Sequence, residues 1–275
     1  MNFTLTEEQL AIADMAKSLF TDTCTDQFLR DYDDAGQGIM SDLWTTSIET
    51  GLQGVIIPEA HGGIDLGMSE LSLVLQAQGG SLAQVPLWRH QVAAAAIAKF
   101  TSGDFAEIVQ AAAEGSNLLT LAFNLVNNSH GAELKVAQSS DSITLNGLIQ
   151  TVAVAGLADA ILVSFTLNNE MRWAVLDSNA AGVSLTKGQM THGEEVADVH
   201  LSNVNIPNSA LLTVGANNWI LPRIFASLAA LQLGVSEEQI TKTVEYVSER
   251  KQFNRAIGTF QAVQMTMADT KVALE

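Results

Sequence analysis

Three cationic side chains lie close together near the end of the chain. Arg250, Lys251 and Arg255 fall within six residues, and no other stretch of the sequence is as dense in cations. Because planar guanidinium groups bind phosphate through paired hydrogen bonds, this cluster is a candidate phosphate site. A structural interpretation stays open beside it: cations at a helix end offset the helix dipole, and Asn254 is then a left-handed cap.

The cluster is informative because the chain as a whole is acidic. It carries only 13 lysines and arginines and a net charge of -17. This charge argues against nucleic acid or an anionic membrane as a partner. It also means that an anionic ligand needs a local basic site.

Other arrangements of reactive side chains are weak. His192 and His200 flank Glu194 and Glu195, but their spacing matches no standard ligand pattern, so no metal is predicted. The sequence has no Gly-x-Ser-x-Gly, P-loop or Gly-x-Gly-x-x-Gly motif, which leaves hydrolase, nucleotide triphosphatase and Rossmann interpretations without support.

Apolar spacing and end signals predict an N-terminal helical domain over residues 1–115. A capping box at Thr6-x-x-Gln9 precedes a helix, and Ser41 is a candidate cap for the next one. The first helix is expected to place these residues on its apolar face: Leu10, Ala13, Ala16, Leu19 and Phe20. Further helices are predicted from Ser69 to Gly79-Gly80, at Leu87–Phe100 and at Asp104–Glu114, with an ordered loop at Gly54–Gly63.

A central antiparallel β-domain is predicted over residues 116–212, where short β-branched and apolar runs alternate with turn formers. The predicted strands are Leu118–Val126, Leu134–Gln138, Ile143–Leu145, Ala160–Leu167, Trp173–Leu176 and Val199–Ile206. The predicted separators are Asp141-Ser142, Asn146-Gly147, Asn168-Asn169 and Asn179.

Helical periodicity returns in residues 213–275, which we interpret as the first part of a C-terminal helical domain. One helix is predicted from about Ile224 to Arg250, and a second from about Phe260, capped by Thr259. Met265 and Met267, on the second helix, are expected in the core of this C-terminal domain. Two helices cannot bury their apolar faces alone, so this domain is expected to be incomplete as given.

Composition also indicates a cytoplasmic protein. The single cysteine, Cys24, rules out an internal disulfide and fits a reducing compartment. No apolar run reaches the roughly 20 residues of a membrane-spanning helix, and Glu7 and Glu8 occupy the place of a basic signal segment. No membrane partner is predicted.

The segment Glu249–Gln264 resembles the signature of the acyl-CoA dehydrogenase family, in which a helix ends Glu-Arg-x-Gln-Phe-Gly and the next begins Phe-Gln-Ala-Val-Gln. Asn254 replaces the usual glycine. Further matches lie along most of the chain: Trp44, Gly51-Leu52, Gly54, Pro58-Glu59, Gly62-Gly63, Leu145-Asn146-Gly147 and Ala155-Gly156-x-Ala158-Asp159. The resemblance implies the family's helix–β–helix fold, which is also the order predicted above.

The resemblance further implies FAD at a subunit interface. The residues that match the family's contacts to the adenosine diphosphate of a neighbouring subunit's flavin are Arg250, Gln252, Phe253, Ile257 and Phe260. Arg250 would pair with the pyrophosphate, and the apolar side chains would pack on the cofactor. An oligomer with another acyl-CoA dehydrogenase-like chain, identical or different, is the implied partner.

The sequence departs from the family where a flavin would be held and a proton removed. Thr120–His130 has no glycine where the flavin-cradling loop has one, and Thr151-Val152-Ala153 replaces Trp-Ile-Thr. The usual glutamate base would lie beyond Glu275, and its alternative position is Ile224 or Pro222. The catalytic residues are therefore unknown.

These observations favour an acyl-CoA dehydrogenase-type subunit that acts on an acyl-CoA and shares FAD and an active site with a partner, as in paired steroid-side-chain enzymes. Two alternatives remain: a homo-oligomeric dehydrogenase with altered loops, whose C-terminal half lies beyond this sequence, and a non-catalytic scaffolding subunit that kept only the fold.

Overall fold

The computed structural model describes residues 4–36, 38–101, 105–123 and 134–274. The chain forms two compact units, each built from separated segments. Unit 1 comprises residues 1–25, 72–83 and 227–275, and unit 2 comprises residues 26–71 and 84–226. The element order is helical, then β, then helical, which confirms the predicted fold class. The boundaries at 115 and 212 stay a prediction.

Helices occupy both ends of the chain. The helices are α1 Glu7–Thr23, α2 Asp26–Ala35, α3 Ser41–Glu49, α4 Met68–Gly80, α5 Leu87–Phe100, α6 Ala106–Ala113, α7 Ala216–Glu249 and α8 Gln261–Leu274. The bounds of α4 and α5 agree with the prediction. Asp104, the predicted start of α6, lies outside the described residues.

Helix α1 begins with the predicted capping box. The Thr6 hydroxyl accepts from the Gln9 backbone N–H at 3.2 Å, and the Gln9 side chain accepts from the Thr6 N–H at 3.0 Å. The buried face, however, is Ile12, Ala16 and Phe20. The predicted face was therefore partly wrong, since Leu10 is 48% exposed.

Two predictions for the next helices were also wrong. Helix α2 was missed, because its residues are mostly charged and it buries none of them. Ser41 is the first residue of α3 rather than its cap: Met40 holds the cap position, and its side chain makes no capping hydrogen bond to the first turn of the helix.

The loop after α3 is ordered, as predicted. Gly51, at φ 80°, lies between α3 and the loop. Two short 3-10 turns follow within the loop, at Leu52–Gly54 and Glu59–His61. The loop then folds back on itself through backbone hydrogen bonds of 2.8–2.9 Å from Ile64, Asp65 and Leu66 to Gly54, Ile57 and Val55.

Two sheets form the centre of unit 2. The strands are β1 Leu119–Ala122, β2 Lys135–Gln138, β3 Ser142–Ala153, β4 Ala160–Leu167, β5 Glu170–Asp177, β6 Val183–Gln189 and β7 Glu195–Pro207. One sheet has the order β1-β4-β5 and the other β2-β3-β7-β6. Every pairing in them is antiparallel except one: β1 runs parallel to β4, so the all-antiparallel prediction was wrong for that pair.

Several strand bounds depart from the prediction. Strands β5 and β7 extend beyond the predicted Trp173–Leu176 and Val199–Ile206, and β3 and β6 also differ. Asn146-Gly147 is not a turn: β3 continues through it with a bulge, and the Asn146 side chain accepts from the Asn203 N–H at 2.7 Å. Strand β6 was missed, since most of its side chains are exposed and it gives no apolar run. Residues 124–126 of the predicted first strand lie outside the described residues.

In unit 1, glycines bring two helices into backbone contact. A Cβ atom added to Gly79 of α4 would overlap the carbonyl of Leu231 in α7, and one added to Gly234 would overlap the carbonyl of Gln76. The Gln76 amide also donates to the Glu237 carboxylate at 2.5 Å. Only glycine permits this approach.

Helix α7 begins at Ala216, eight residues before the predicted start, and runs through Pro222. A proline lacks the N–H that would continue the ladder, which is why the sequence suggested a later start. Length and composition alone would let this helix cross a membrane: an 18-residue window has a mean hydropathy of 1.3, and 28% of it is buried. Core helices pass the same test, so this is weak evidence against the prediction of no membrane partner.

Candidate functional site

The cationic cluster lies on a small hairpin between α7 and α8. The two short strands, β8 Lys251–Gln252 and β9 Arg255–Ala256, pair antiparallel. Phe253 and Asn254, at φ 53° and 62°, form the turn between them. Two successive residues with positive φ are typical of a type I′ turn, the tightest hairpin connection. Asn254 is left-handed as predicted, whereas the left-handed Phe253 was not expected.

Aromatic rings cover one side of the hairpin. Phe253 is 88% exposed at the tip, and its ring meets the ring of Phe260 edge to face at 6.3 Å between centroids. The Arg255 guanidinium lies 4.1 Å from the centroid of the Phe260 ring. Stacking on a ring holds a guanidinium in place while its N–H groups stay available.

Among the residues that the structure describes, the hairpin cations have no acidic partner. Within the described parts of the chain, no carboxylate forms an ion pair with Arg250, Lys251 or Arg255. The backbone at Arg250 is fixed by hydrogen bonds, because its N–H donates to Tyr246 at 2.9 Å and its carbonyl accepts from Ile257 at 2.8 Å. We call residues 250–260 the cationic hairpin.

The structure thus brings all five predicted contact residues into the cationic hairpin. Arg250, Gln252 and Phe253 are exposed, and Ile257 and Phe260 are partly buried. The surface offers guanidinium groups for an anion and aromatic faces for a flat ring. A ligand with a diphosphate and a ring system would match both features.

Thr259 does not cap α8 as predicted. Its hydroxyl donates to the Ala256 carbonyl at 2.6 Å, inside a 3-10 turn at Ile257–Thr259. Met265 is 58% exposed rather than in a core. A cleft of about 420 Å³ separates α7 from α8, lined among others by Ile240 and Met267. No described residue fills it, and the incomplete helical domain stays a prediction.

The positions matched to a catalytic base hold no titratable group. Ile224 is fully buried in α7, and Pro222 lies in the same helix. Val152 and Ala153, in place of the flavin-binding Ile-Thr, are 3% and 5% exposed, so their side chains face the interior. The segment matched to the flavin-cradling loop lies mostly outside the described residues, which resume at residue 134.

Sequence analysis missed two buried polar groups of unit 2. Arg89 binds both carboxylate oxygens of Glu194, at 2.7 and 3.3 Å, and His192 lies 3.4 Å from the same carboxylate. Burial lowers the pKa of Arg89, although Glu194 opposes the effect. No spacing in the sequence predicts this pair, since 105 residues separate its members.

His90 is the second missed group, and it is fully buried. Its Nε2 lies 3.0 Å from the Ala112 carbonyl oxygen, and its Nδ1 accepts from the Leu119 N–H at 3.2 Å. This pattern requires a neutral ring with its proton on Nε2. Burial lowers the pKa of His90 to about 4. His90 thus joins α5, α6 and β1 and has a structural role.

His200 is bonded at 3.0 Å to Thr186 across β6 and β7. Over the described ranges, no group of three or more His, Cys, Asp or Glu side chains could hold a metal ion.

Comparisons with known proteins give one consistent result. The family model for the acyl-CoA dehydrogenase N-terminal domain matches residues 6–108, and the model for the C-terminal domain matches residues 225–275. Acyl-CoA dehydrogenase FadE27 of Mycobacterium tuberculosis is 30% identical over 274 residues, covering 98% of this chain and 72% of FadE27. FadE12 of the same species is 30% identical, covering 86% of this chain and 66% of FadE12.

Two solved structures are similar in sequence as well as in fold. A chain of the ChsE4-ChsE5 complex from Mycobacterium tuberculosis superposes on this chain with a TM-score of 0.92 at 28% identity. The match covers 100% of this chain and 76% of the chain in the complex. The Tcur3481-Tcur3483 steroid enzyme, a G363A variant, superposes with a TM-score of 0.89 at 32% identity, covering 98% and 75%. Both are assemblies of two different chains.

Proposed function

Given that the chain belongs to the acyl-CoA dehydrogenase family of FAD-dependent oxidoreductases, we propose that it acts as one subunit of a two-chain enzyme. In this proposal the cationic hairpin holds the adenosine diphosphate end of a FAD whose flavin ring is bound by a partner subunit. The reaction is the α,β-dehydrogenation of an acyl-CoA thioester. Steroid-derived acyl chains are the substrate class that the Tcur3481-Tcur3483 similarity favours.

One observation carries the proposal: exposed cations and a bare aromatic tip occur together on an acidic chain. Phe253 is 88% exposed, and its ring lies beside the ring of Phe260, so the two rings offer one apolar surface to a ligand or partner. Arg250 and Arg255 lack carboxylate partners among the described residues, although the chain has 30 acidic residues. A diphosphate supplies the missing negative charge.

The residues fit the adenosine diphosphate end of FAD and do not fit its flavin end. Arg250 and Gln252 offer N–H donors to phosphate oxygens, and Phe253 and Phe260 offer ring faces. By contrast, Thr151 has no indole and Ala153 has no hydroxyl at the two positions where the resemblance places those flavin contacts. Bound FAD supplies the hydride acceptor of the reaction, so the partner must provide the site in which that acceptor meets the substrate.

The proposal also places the catalytic base on the partner. Removal of the α-proton requires a group that accepts it at contact distance from the α-carbon. The matched positions of this chain, Ile224 and Pro222, have no such group. The division of labour therefore assigns cofactor binding across the interface to this chain, and proton removal to the other.

Co-purification tests the proposal. The chain is co-expressed with an acyl-CoA dehydrogenase-like chain from the same genome, and flavin absorbance and acyl-CoA oxidation are measured for each chain alone and for the pair. We expect flavin and activity only in the pair. Because charge-assisted hydrogen bonds are worth about 1.5–3 kcal/mol, Arg250→Gln should weaken FAD retention by at least about tenfold.

Arg30→Gln is the matched control, since Arg30 is an exposed arginine of α2 outside the cationic hairpin. It should retain FAD as the parent does. If the chain alone binds FAD stoichiometrically and oxidises an acyl-CoA, the division of labour is wrong. If no family partner gives flavin absorbance, the scaffolding alternative replaces it.

A further inference from the structure

Unit 2 contains a cavity that takes no part in the proposed function. It measures about 370 Å³ and lies between the loop at residues 54–67, the end of α5 and the start of α7. We call it the Trp219 cavity. Its walls include the apolar side chains of Ile56, Leu66 and Trp219. The volume is that of a small-molecule site.

The loop wall of the Trp219 cavity is preformed. Ile64, Asp65 and Leu66 each donate a backbone hydrogen bond of 2.8–2.9 Å to an earlier residue of the same loop. Leu66 is nevertheless 37% exposed, so an apolar side chain stands open at the cavity. A rigid wall lowers the entropy cost of binding, because the loop need not be ordered first.

Aromatic rings position the cations of the Trp219 cavity. The Arg223 guanidinium lies 3.7 Å from the centroid of the Trp219 ring, and its Nη1 donates to the Trp219 carbonyl at 3.0 Å. The Phe100 ring meets Trp219 edge to face at 5.7 Å, and the Lys99 Nζ lies 5.8 Å from the Phe100 ring. Arg223 and Lys99 both line the cavity.

The charges at the Trp219 cavity do not cancel. No carboxylate forms an ion pair with Arg223 or Lys99 within the residues the structure describes. Asp65 is the single acidic residue lining the cavity, against Arg223, Lys99 and the ring nitrogens of His61. The bond to Trp219 uses one of the five N–H groups of the guanidinium, which leaves donors for an anion.

We propose that the Trp219 cavity binds a small amphipathic carboxylate, with its carboxylate on Arg223 and Lys99 and its apolar chain against Ile56, Leu66 and Trp219. A free inorganic anion would leave the apolar walls uncovered, and a neutral apolar molecule would leave both cations unpaired. The site is independent of the cationic hairpin, since no residue is shared and no flavin is required.

Binding of hexanoate to the full chain tests the proposal, with hexanamide as a neutral compound of the same shape. Isothermal titration gives affinities, and the indole N–H resonance of Trp219, assigned with Trp219→Phe, gives the location. We expect hexanoate to bind at least about tenfold more tightly than hexanamide, and Trp219 to shift on binding.

Arg223→Gln and Lys99→Gln should each weaken hexanoate binding, Arg223→Gln by about tenfold or more. Arg30→Gln and Lys135→Gln make the same charge changes at exposed positions outside the cavity and should leave binding unchanged. Lys99 is exposed, so its variant keeps the test valid if Arg223→Gln does not fold. Equal affinity for hexanoate and hexanamide, or parental affinity in both cavity variants, would overturn the proposal.

Discussion

The arginines of the chain are used in two opposite ways. Arg89 is 19% exposed and binds both oxygens of Glu194. Arg250 and Arg255 are exposed on the cationic hairpin and have no carboxylate partner among the described residues. The difference teaches that a cation paired inside the chain supports the fold, whereas cations clustered beside aromatic rings on the surface are available to bind an external anion.

The same contrast holds for aromatic and histidine side chains. His90 is fully buried with both ring nitrogens bonded, and Phe253 is 88% exposed in a turn that suits smaller residues. Interior substitutions should therefore change the free energy of unfolding. Hairpin substitutions should change ligand binding and leave stability nearly unaltered. Three measurements test this distinction.

Arg89→Met should have the largest effect. It leaves the Glu194 carboxylate largely buried without its cation, and breaking a buried ion pair costs roughly 3–5 kcal/mol. Because the pair is about a fifth exposed, we expect a loss of about 2–3 kcal/mol in the free energy of unfolding, measured by urea denaturation. Arg250→Met, the hairpin counterpart, should stay within about 0.5 kcal/mol. Equal losses in both variants would remove the distinction.

Acidification should have the next largest effect, through His90. Its pKa is about 4 in the folded protein, against the ordinary histidine value of 6.5, so the unfolded chain binds the extra proton. This contribution to stability is complete above pH 6.5 and decreases as the pH falls towards 4. At a pH one and a half units below the pKa of the unfolded chain, the free energy of unfolding has fallen by about 2 kcal/mol.

His90→Asn isolates this effect from carboxylate titration. Urea denaturation of the parent and of the variant, each at neutral and at mildly acidic pH, shows how the free energy of unfolding of each protein changes with pH. The parent should lose about 2 kcal/mol more than the variant over this range. Parallel slopes would show that His90 is not held neutral.

Phe253→Asn should have the smallest effect on stability and the opposite sign. Phe253 adopts φ 53°, which costs a bulky residue about 1 kcal/mol, while Asn tolerates this region. The variant should therefore unfold with a free energy up to about 1 kcal/mol higher. In the two-chain enzyme it should also retain less FAD. A variant that is less stable than the parent would contradict the strain argument.

Apolar helices and turns of the fold were predictable from the sequence, and elements without apolar signals were not. Leu87–Phe100 is almost wholly buried, so its composition gave both ends of α5. Asn168 and Asn169, at φ 52° and 62°, form the turn predicted between β4 and β5. Helix α2 and strand β6 bury little, and their place depends on neighbours that the local sequence does not reveal.

The residues of the candidate site were predictable, and its shape was not. Spacing identified the cation cluster, and the resemblance to the family indicated the contacts around Phe253, which stay a prediction. The left-handed Phe253 could not be predicted, because aromatic residues rarely adopt positive φ and only the hairpin pairing enforces it. The Arg223–Trp219 stack was missed as well, since Pro222 suggested that α7 begins after both residues.

The crossing of α4 and α7 limits how far this sequence can drift. Where Gly79 and Gly234 face backbone carbonyls, even one methyl group has no room, so nearly every amino-acid substitution at either position should be eliminated. Surface arginines can be exchanged while the fold survives. Distant descendants that have lost every cofactor contact should still be recognisable by this pair of glycines.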